Sequence, residues 1–207
     1  MTSIEALTLE VADTTAAHRF YTAFGLDERV ALRASDAPTS GFRGFSLSLT
    51  VAQPADVRGF VDAAVAAGAT ALKPASKSFW GYGGVVRAPD GTIWKIATSA
   101  KKDTAPATGQ IDQMVLLLGT ASVTASKRFY VERGLTVAKS FGSKYVEFDT
   151  QGSPVKLALY GRRALAKDVG VPVDGTGSHR IALVGDAGAF TDPDGFGWEA
   201  ASLTFAP

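Results

Sequence analysis

Asp192-Pro193-Asp194-Gly195-Phe196-Gly197-Trp198-Glu199 repeats, in altered form, a stretch far upstream, Ala88-Pro89-Asp90-Gly91-Thr92-Ile93-Trp94-Lys95. Each holds Pro-Asp-Gly, a turn signal with its glycine where a positive φ is needed. Each then places a tryptophan three residues after the glycine and a charged residue four after it. A second echo lies before each turn. His18-Arg19-Phe20-Tyr21 followed by Gly25-Leu26 returns as Lys127-Arg128-Phe129-Tyr130 followed by Gly134-Leu135. Two echoes in the same order are the signature of an internal repeat.

The segments around these anchors read as alternating strands and helices. Residues 4–11 alternate Leu7, Leu9 and Val11 against Ala6, Thr8 and Glu10, the period of a half-buried strand. Asp13 stands at a helix N-cap, Ala16, Ala17, Phe20, Tyr21 and Phe24 share a helical face, and Gly25 supplies the stop. A short strand is expected over 29–33. Residues 45–51 alternate strictly, a helix follows over 55–67, and strand material runs from 70 to 97 around the first turn. Residues 99–110, SAKKDTAPATGQ, are polar and form the linker. After them the pattern restarts with a strand over 112–118 and a helix over 122–133. Strands follow near 137–140, 145–149 and 155–160, then a short helix over 162–168. The division expected is one domain over 1–100, a linker over 101–109 and a second domain over 110–207.

Composition excludes several classes of function. With 46% hydrophobic and 20% charged residues in 207, the chain has material for a sizeable core. A net charge of +1 lacks the basic excess of a nucleic-acid binder. The absence of cysteine removes disulfides, thiolate metal sites and a cysteine nucleophile. No apolar run approaches the ~18 residues needed to cross a bilayer, and no signal peptide opens the chain. The expectation is a soluble, cytoplasmic protein with no nucleic-acid or membrane partner.

The two echoes carry a family resemblance. A helix reading Asp…Phe-Tyr…Gly-Leu and a closing Asp-Pro-Asp-Gly with a glutamate four residues on are similar to the hallmarks of the vicinal oxygen chelate superfamily. That group includes glyoxalase I, bleomycin-resistance proteins and extradiol dioxygenases. The resemblance spans nearly the whole chain and implies an α+β fold: two tandem glyoxalase-like domains built from βαβββ modules. Each half is short for a complete domain. One strand is legible between Leu26 and Phe45 where the family has three, and a helix and a strand are missing between Val184 and Gly188. One truncated module is therefore expected in each domain, at the start of the first and at the end of the second.

The resemblance also implies where ligands sit. Metal-dependent relatives draw oxygen and imidazole ligands from facing strands to polarise vicinal oxygens. In the first domain the matching positions are Ala6, Ser46 and Lys95, which suit no cation. The polar set Glu10, Ser46 and Lys95 reads either as a pocket for a polar or anionic small molecule or as a simple Glu10–Lys95 pair. In the second domain the matching positions are Gln113, His179 and Glu199, with Leu157 near the fourth. They read as a metal site, with Glu199 as a catalytic base, or as a remnant His–Glu pair. The cofactor expected is none, or a single divalent iron, manganese, nickel or zinc ion in the second domain. Trp80 and Tyr82, in a glycine-rich segment, read as stacking residues for a planar ligand or as contacts of the core or of a homodimer. The functions implied are small-molecule binding without a complete metal site, as in bleomycin-resistance relatives, or a metal-dependent lyase, isomerase or dioxygenase.

Overall fold

The computed structural model describes residues 3–149 and 152–201. The first half contains β1 (Ile4–Val11), α1 (Thr14–Phe24), β2 (Ala31–Ala34), β3 (Thr39–Gly41), β4 (Phe45–Thr50), α2 (Pro54–Ala66), β5 (Thr70–Ser78), β6 (Gly81–Arg87) and β7 (Ile93–Thr98). The second contains β8 (Gln113–Thr120), α3 (Val123–Glu132), β9 (Thr136–Phe141), β10 (Tyr145–Asp149), β11 (Val155–Gly161) and α4 (Arg162–Val169). It ends with β12 (Gly175–Gly177), β13 (Ile181–Gly185), β14 (Phe190–Thr191) and β15 (Gly197–Ala200). The Asp13 carboxylate accepts the Ala16 N–H at 2.9 Å to open α1, and Gly25 closes it in the left-handed region at φ 81°.

One closing rule runs through the chain: the last strand of each module pairs parallel with its first. β7 lies against β4, β11 against β8, β15 against β13 and β2 against β1. The modules opening at β4 and β8 are complete βαβββ units. The first module keeps only β1, α1 and β2. The last keeps three strands and no helix. The truncations fall at the two ends expected.

The sheets do not follow the division at the linker. β1 pairs antiparallel with β13, joining the two truncated modules in a five-stranded sheet of order β14-β15-β13-β1-β2. β4 pairs antiparallel with β8, joining the two complete modules in an eight-stranded sheet of order β5-β6-β7-β4-β8-β11-β10-β9. Two tandem domains would be expected to keep a sheet each; instead both sheets are shared between the halves. Alternation tells which face of a strand is apolar but not which edge finds which partner. What ties each half to itself is the helix and the turn. Tyr21 donates to Asp90 and Tyr130 to Asp192, each at 2.7 Å. Tyr21 packs edge-on against Trp94, and Tyr130 packs against Trp198. Burial foremost, with the adjacent carboxylate, pushes both phenols well above the ordinary tyrosine range.

The apolar faces meet in one core. Leu7 and Leu9, Leu47 and Leu49, Leu116 and Leu118, and Leu157 and Leu159 are fully buried on the faces that meet the helices. This leaves Ala6, Thr8 and Glu10, and likewise Ser48 and Val115, on the opposite faces.

The linker is fastened rather than loose. The Gln53 side chain bonds Thr104, Ala105 and Pro106. Buried Asp56 accepts the N–H groups of Thr108 at 2.6 Å and Gly109 at 2.9 Å, with the Thr108 hydroxyl at 3.2 Å. Burial alone would raise this carboxyl's pKa, but the hydrogen bonds outweigh it and hold the group below its usual range. Asp56→Ala is therefore expected to lower unfolding stability by on the order of 3 kcal/mol at neutral pH. A carboxyl depressed in the folded state stabilises above its unfolded pKa and loses that effect as pH falls through the folded value. The gap between native protein and variant should thus close in acid. Urea melts at neutral and acid pH that show a constant gap would show that the carboxylate charge does not hold the linker.

Candidate functional site

The face of the five-stranded sheet opposite the core is floored by small residues. Thr8 sits between Ala182 and Ala31, and Val184 lies between Ala6 and Glu199. Arg33, on β2, is the cross-strand neighbour of Glu10. Its Nη2 lies 2.7 Å from a Glu10 oxygen and 2.8 Å from a Glu199 oxygen, and its Nη1 donates to the other Glu199 oxygen at 3.1 Å. Bonds to Glu199 first and Glu10 second raise the guanidinium's pKa further above its ordinary value. Two carboxylates from different ends of the chain thus converge on one group, and that group is a side-chain cation.

The eight-stranded sheet carries a different row. Lys95, Ser48, Val115 and Lys156 are register partners across β7, β4, β8 and β11. α4 covers this face: Leu165, Ala166 and Val169 are buried against Val85 and Ile93. From the end of α4, Asp168 pairs with Lys95 at 2.7 Å, and Lys73 donates to the Asp168 carbonyl at 2.5 Å. A cleft of about 290 Å³ remains beside this pair, bordered by Lys73, Lys95, Trp80, Ser76, Ser78 and Asp168. Tyr82 borders it too, but its hydroxyl donates to the Ala75 carbonyl and its ring stands 5.8 Å from the Arg58 guanidinium of α2. Trp80 projects from the β5–β6 hairpin and is 82% exposed.

His179 lies just before β13. Its Nδ1 is 2.5 Å from the Arg43 carbonyl and its Nε2 is 3.0 Å from the Asp194 carbonyl, while its ring stacks on Phe196 at 4.0 Å. Carbonyls only accept, so a neutral imidazole leaves one of the two without a donor. The residue joins the β3–β4 connection to the Asp-Pro-Asp-Gly turn. It also borders a wide cavity, about 900 Å³, with Arg43, Arg162, Arg163, Thr120 and Asp174.

This arrangement of paired modules matches solved structures. Glyoxalase I from Zea mays superposes with a TM-score of 0.61 at 13% identity, covering 97% of this chain and 92% of that one. The chain has the fold of glyoxalase I. A putative dioxygenase from Bacillus subtilis superposes with a TM-score of 0.53 at 12% identity, covering 93% of this chain and 71% of that one. No protein-family model matches the sequence. No curated protein matches it either.

Glyoxalase-fold proteins commonly use a divalent metal, which needs a cluster of oxygen or imidazole donors. On the eight-stranded sheet the central row offers two lysines, a serine and a valine. A cation would meet repulsion there rather than ligands. On the five-stranded sheet, Glu10 and Glu199 are suitable donors, but the Arg33 guanidinium stands between them. Among the described residues no group of three or more His, Asp or Glu side chains is placed to hold a metal. The residues do not fit the group.

Within the glyoxalase fold the expected site residues are redistributed. Gln113 sits on β8 of the eight-stranded sheet opposite Thr50, while Glu199 belongs to the five-stranded sheet. His179 is engaged with carbonyls, so Gln113, His179 and Glu199 are not brought together. Glu10 and Lys95 lie on different sheets, and each has another partner. Ser46 is 1% exposed, its hydroxyl has no partner among the described residues, and it lines no part of the Lys95 cleft. Leu157 is fully buried on the core side. Lys95 and Trp80 do border one cleft. Neither Arg33 nor the covering role of α4 is marked by the sequence. The only signal for Arg33 was its alternation phase in a four-residue strand. α4 was legible as a helix but not as the cover of a sheet.

Proposed function

We propose that this chain belongs to the vicinal oxygen chelate superfamily and binds a small oxygenated anion without a metal, in the Lys95 cleft. The observation that carries this reading is the charge of the cleft: Lys95 and Lys73 against a single lining carboxylate, Asp168. A ligand carboxylate or enolate entering beside Lys95 would compete with Asp168 for the ammonium, while exposed Trp80 offers an indole face to a planar body. The wider 900 Å³ cavity is the weaker candidate. Its Arg162 already donates to the Phe42 carbonyl, and its His179 is held between the Arg43 and Asp194 carbonyls. A metal-dependent lyase, isomerase or dioxygenase would need donors that the Lys95–Ser48–Val115–Lys156 row does not offer.

The test is calorimetric titration with lactate, pyruvate and catechol as small vicinally oxygenated probes. Lys95→Met is expected to weaken binding by about tenfold or more. Asp168→Asn, which removes the competing carboxylate, should strengthen it. Equal affinity in native protein and Lys95→Met would remove the cleft from consideration.

A further inference from the structure

A narrower cleft of about 240 Å³, apart from the Lys95 cleft, lies where β1 runs into α1. Part of its wall is apolar: Val11, Ala16, Ala17, Phe20 and Pro89. Two arginines, Arg43 and Arg180, also line it. Arg180 is 8% exposed, and its Nε has no hydrogen-bond partner among the described residues. The same holds for Arg43 Nη1. Their remaining bonds reach backbone carbonyls only: Arg43 Nη2 donates to the Asp90 carbonyl at 2.5 Å, and Arg180 Nη1 donates to the Ser35 carbonyl.

Neither guanidinium forms an ion pair within the described residues, although three carboxylates line the same cleft. Each of the three has another role. Glu10 pairs with Arg33, Asp13 caps α1, and Asp90 accepts from Tyr21 and from the Thr92 N–H. Burial is the main cause that lowers the Arg43 pKa. The charge of Asp90 opposes it, and the charge of Arg180 adds to it. Arg180 is buried and Arg43 half-buried, and a guanidinium taken out of water is costly unless acceptors fill its N–H groups. Arg180 is also the one non-glycine residue among those described with a positive φ, at 58°. Backbone held in this sparsely populated region is concentrated at ligand sites.

We propose that Arg43 and Arg180 form a second ligand site, which takes the carboxylate of a small organic acid and packs its apolar body against Phe20, Ala17 and Pro89. The carboxylate supplies acceptors for guanidinium N–H groups at the cleft and adds to Asp90 in offsetting the repulsion between the two arginines. The small volume and partly apolar wall select a short monocarboxylate over a sugar phosphate or a nucleotide. The site is separate from the Lys95 cleft and does not depend on that reading.

Isothermal titration of the native protein with sodium butyrate, at constant ionic strength, tests it. Butanol serves as the neutral isostere and inorganic phosphate as an anion without an apolar body. Butyrate is expected to bind at one site, butanol and phosphate at least about tenfold more weakly. Ala16→Leu fills the cleft from an exposed helix position and leaves both arginines in place. It should abolish butyrate binding, as should Arg180→Gln. Lys95→Met should leave it unchanged. Butyrate binding that survives Ala16→Leu, butanol binding as tight as butyrate, or no butyrate binding to the native protein would overturn the proposal.

Discussion

Cut within the linker, the chain is expected to yield two fragments, 1–100 and 110–207, that fold only in each other's presence. Each fragment keeps its helix-to-turn tie, Tyr21 to Asp90 or Tyr130 to Asp192. Each also loses the antiparallel neighbour of two strands. β1 would face water where β13 pairs from Ile4 to Leu9, and β4 would do so where β8 pairs from Phe45 to Thr50. Those edges border buried apolar pairs: Leu7 against Leu183, Leu9 against Ile181, Leu47 against Leu116 and Leu49 against Met114. Exposing three or four such side chains costs about 1.5–3 kcal/mol each, comparable to the whole stability of a small domain. Open apolar edges also invite self-association. Sedimentation and urea unfolding should show aggregated or unfolded fragments alone and a one-to-one complex on mixing. A monomeric fragment 1–100 that unfolds cooperatively would contradict the shared-sheet account.

The second large effect is expected at Arg33. Its side chain is about as exposed as that of Glu199, so losing its ion pairs should change folding stability by less than about 1 kcal/mol. The effect on cation affinity should be far greater. Arg33→Ala leaves Glu10 and Glu199 facing one another across a floor of small residues with no cation between them. Affinity for a divalent ion follows the number and charge of oxygen ligands, and it should rise by roughly tenfold or more. Manganese and zinc titrations of native protein and Arg33→Ala, followed by calorimetry, measure this directly. Equal affinities would show that the guanidinium does not stand in a metal's place.

Much of the fold was legible in the sequence because it is written in local signals. Asp13 and Gly25 mark the ends of α1, alternation marks β1 and β4, and the Pro-Asp-Gly turns mark β7 and β15. The truncated modules were legible as missing length. The choice of strand partners was not, since β1 and β4 carry the same apolar alternation and nothing local says that one meets β13 and the other β8. The candidate site suffered from the same gap. Glu199 and Lys95 were singled out by their distance from a glycine, but their neighbours depend on which sheet each strand joins. Arg33 lay in a strand too short to give a pattern. Arg43 and Arg180 stand in connections, where periodicity carries no information, and their burial follows only from the way the two sheets meet.

The proposal that follows from Arg33 and Lys95 is that side-chain cations, not a metal, stand where metal-dependent relatives hold an ion. Its most direct test is elemental analysis of freshly purified native protein, before and after dialysis against manganese and zinc. The account predicts no stoichiometric divalent metal in either preparation. One equivalent of iron, manganese, nickel or zinc that survives dialysis and disappears in Glu199→Gln would contradict it.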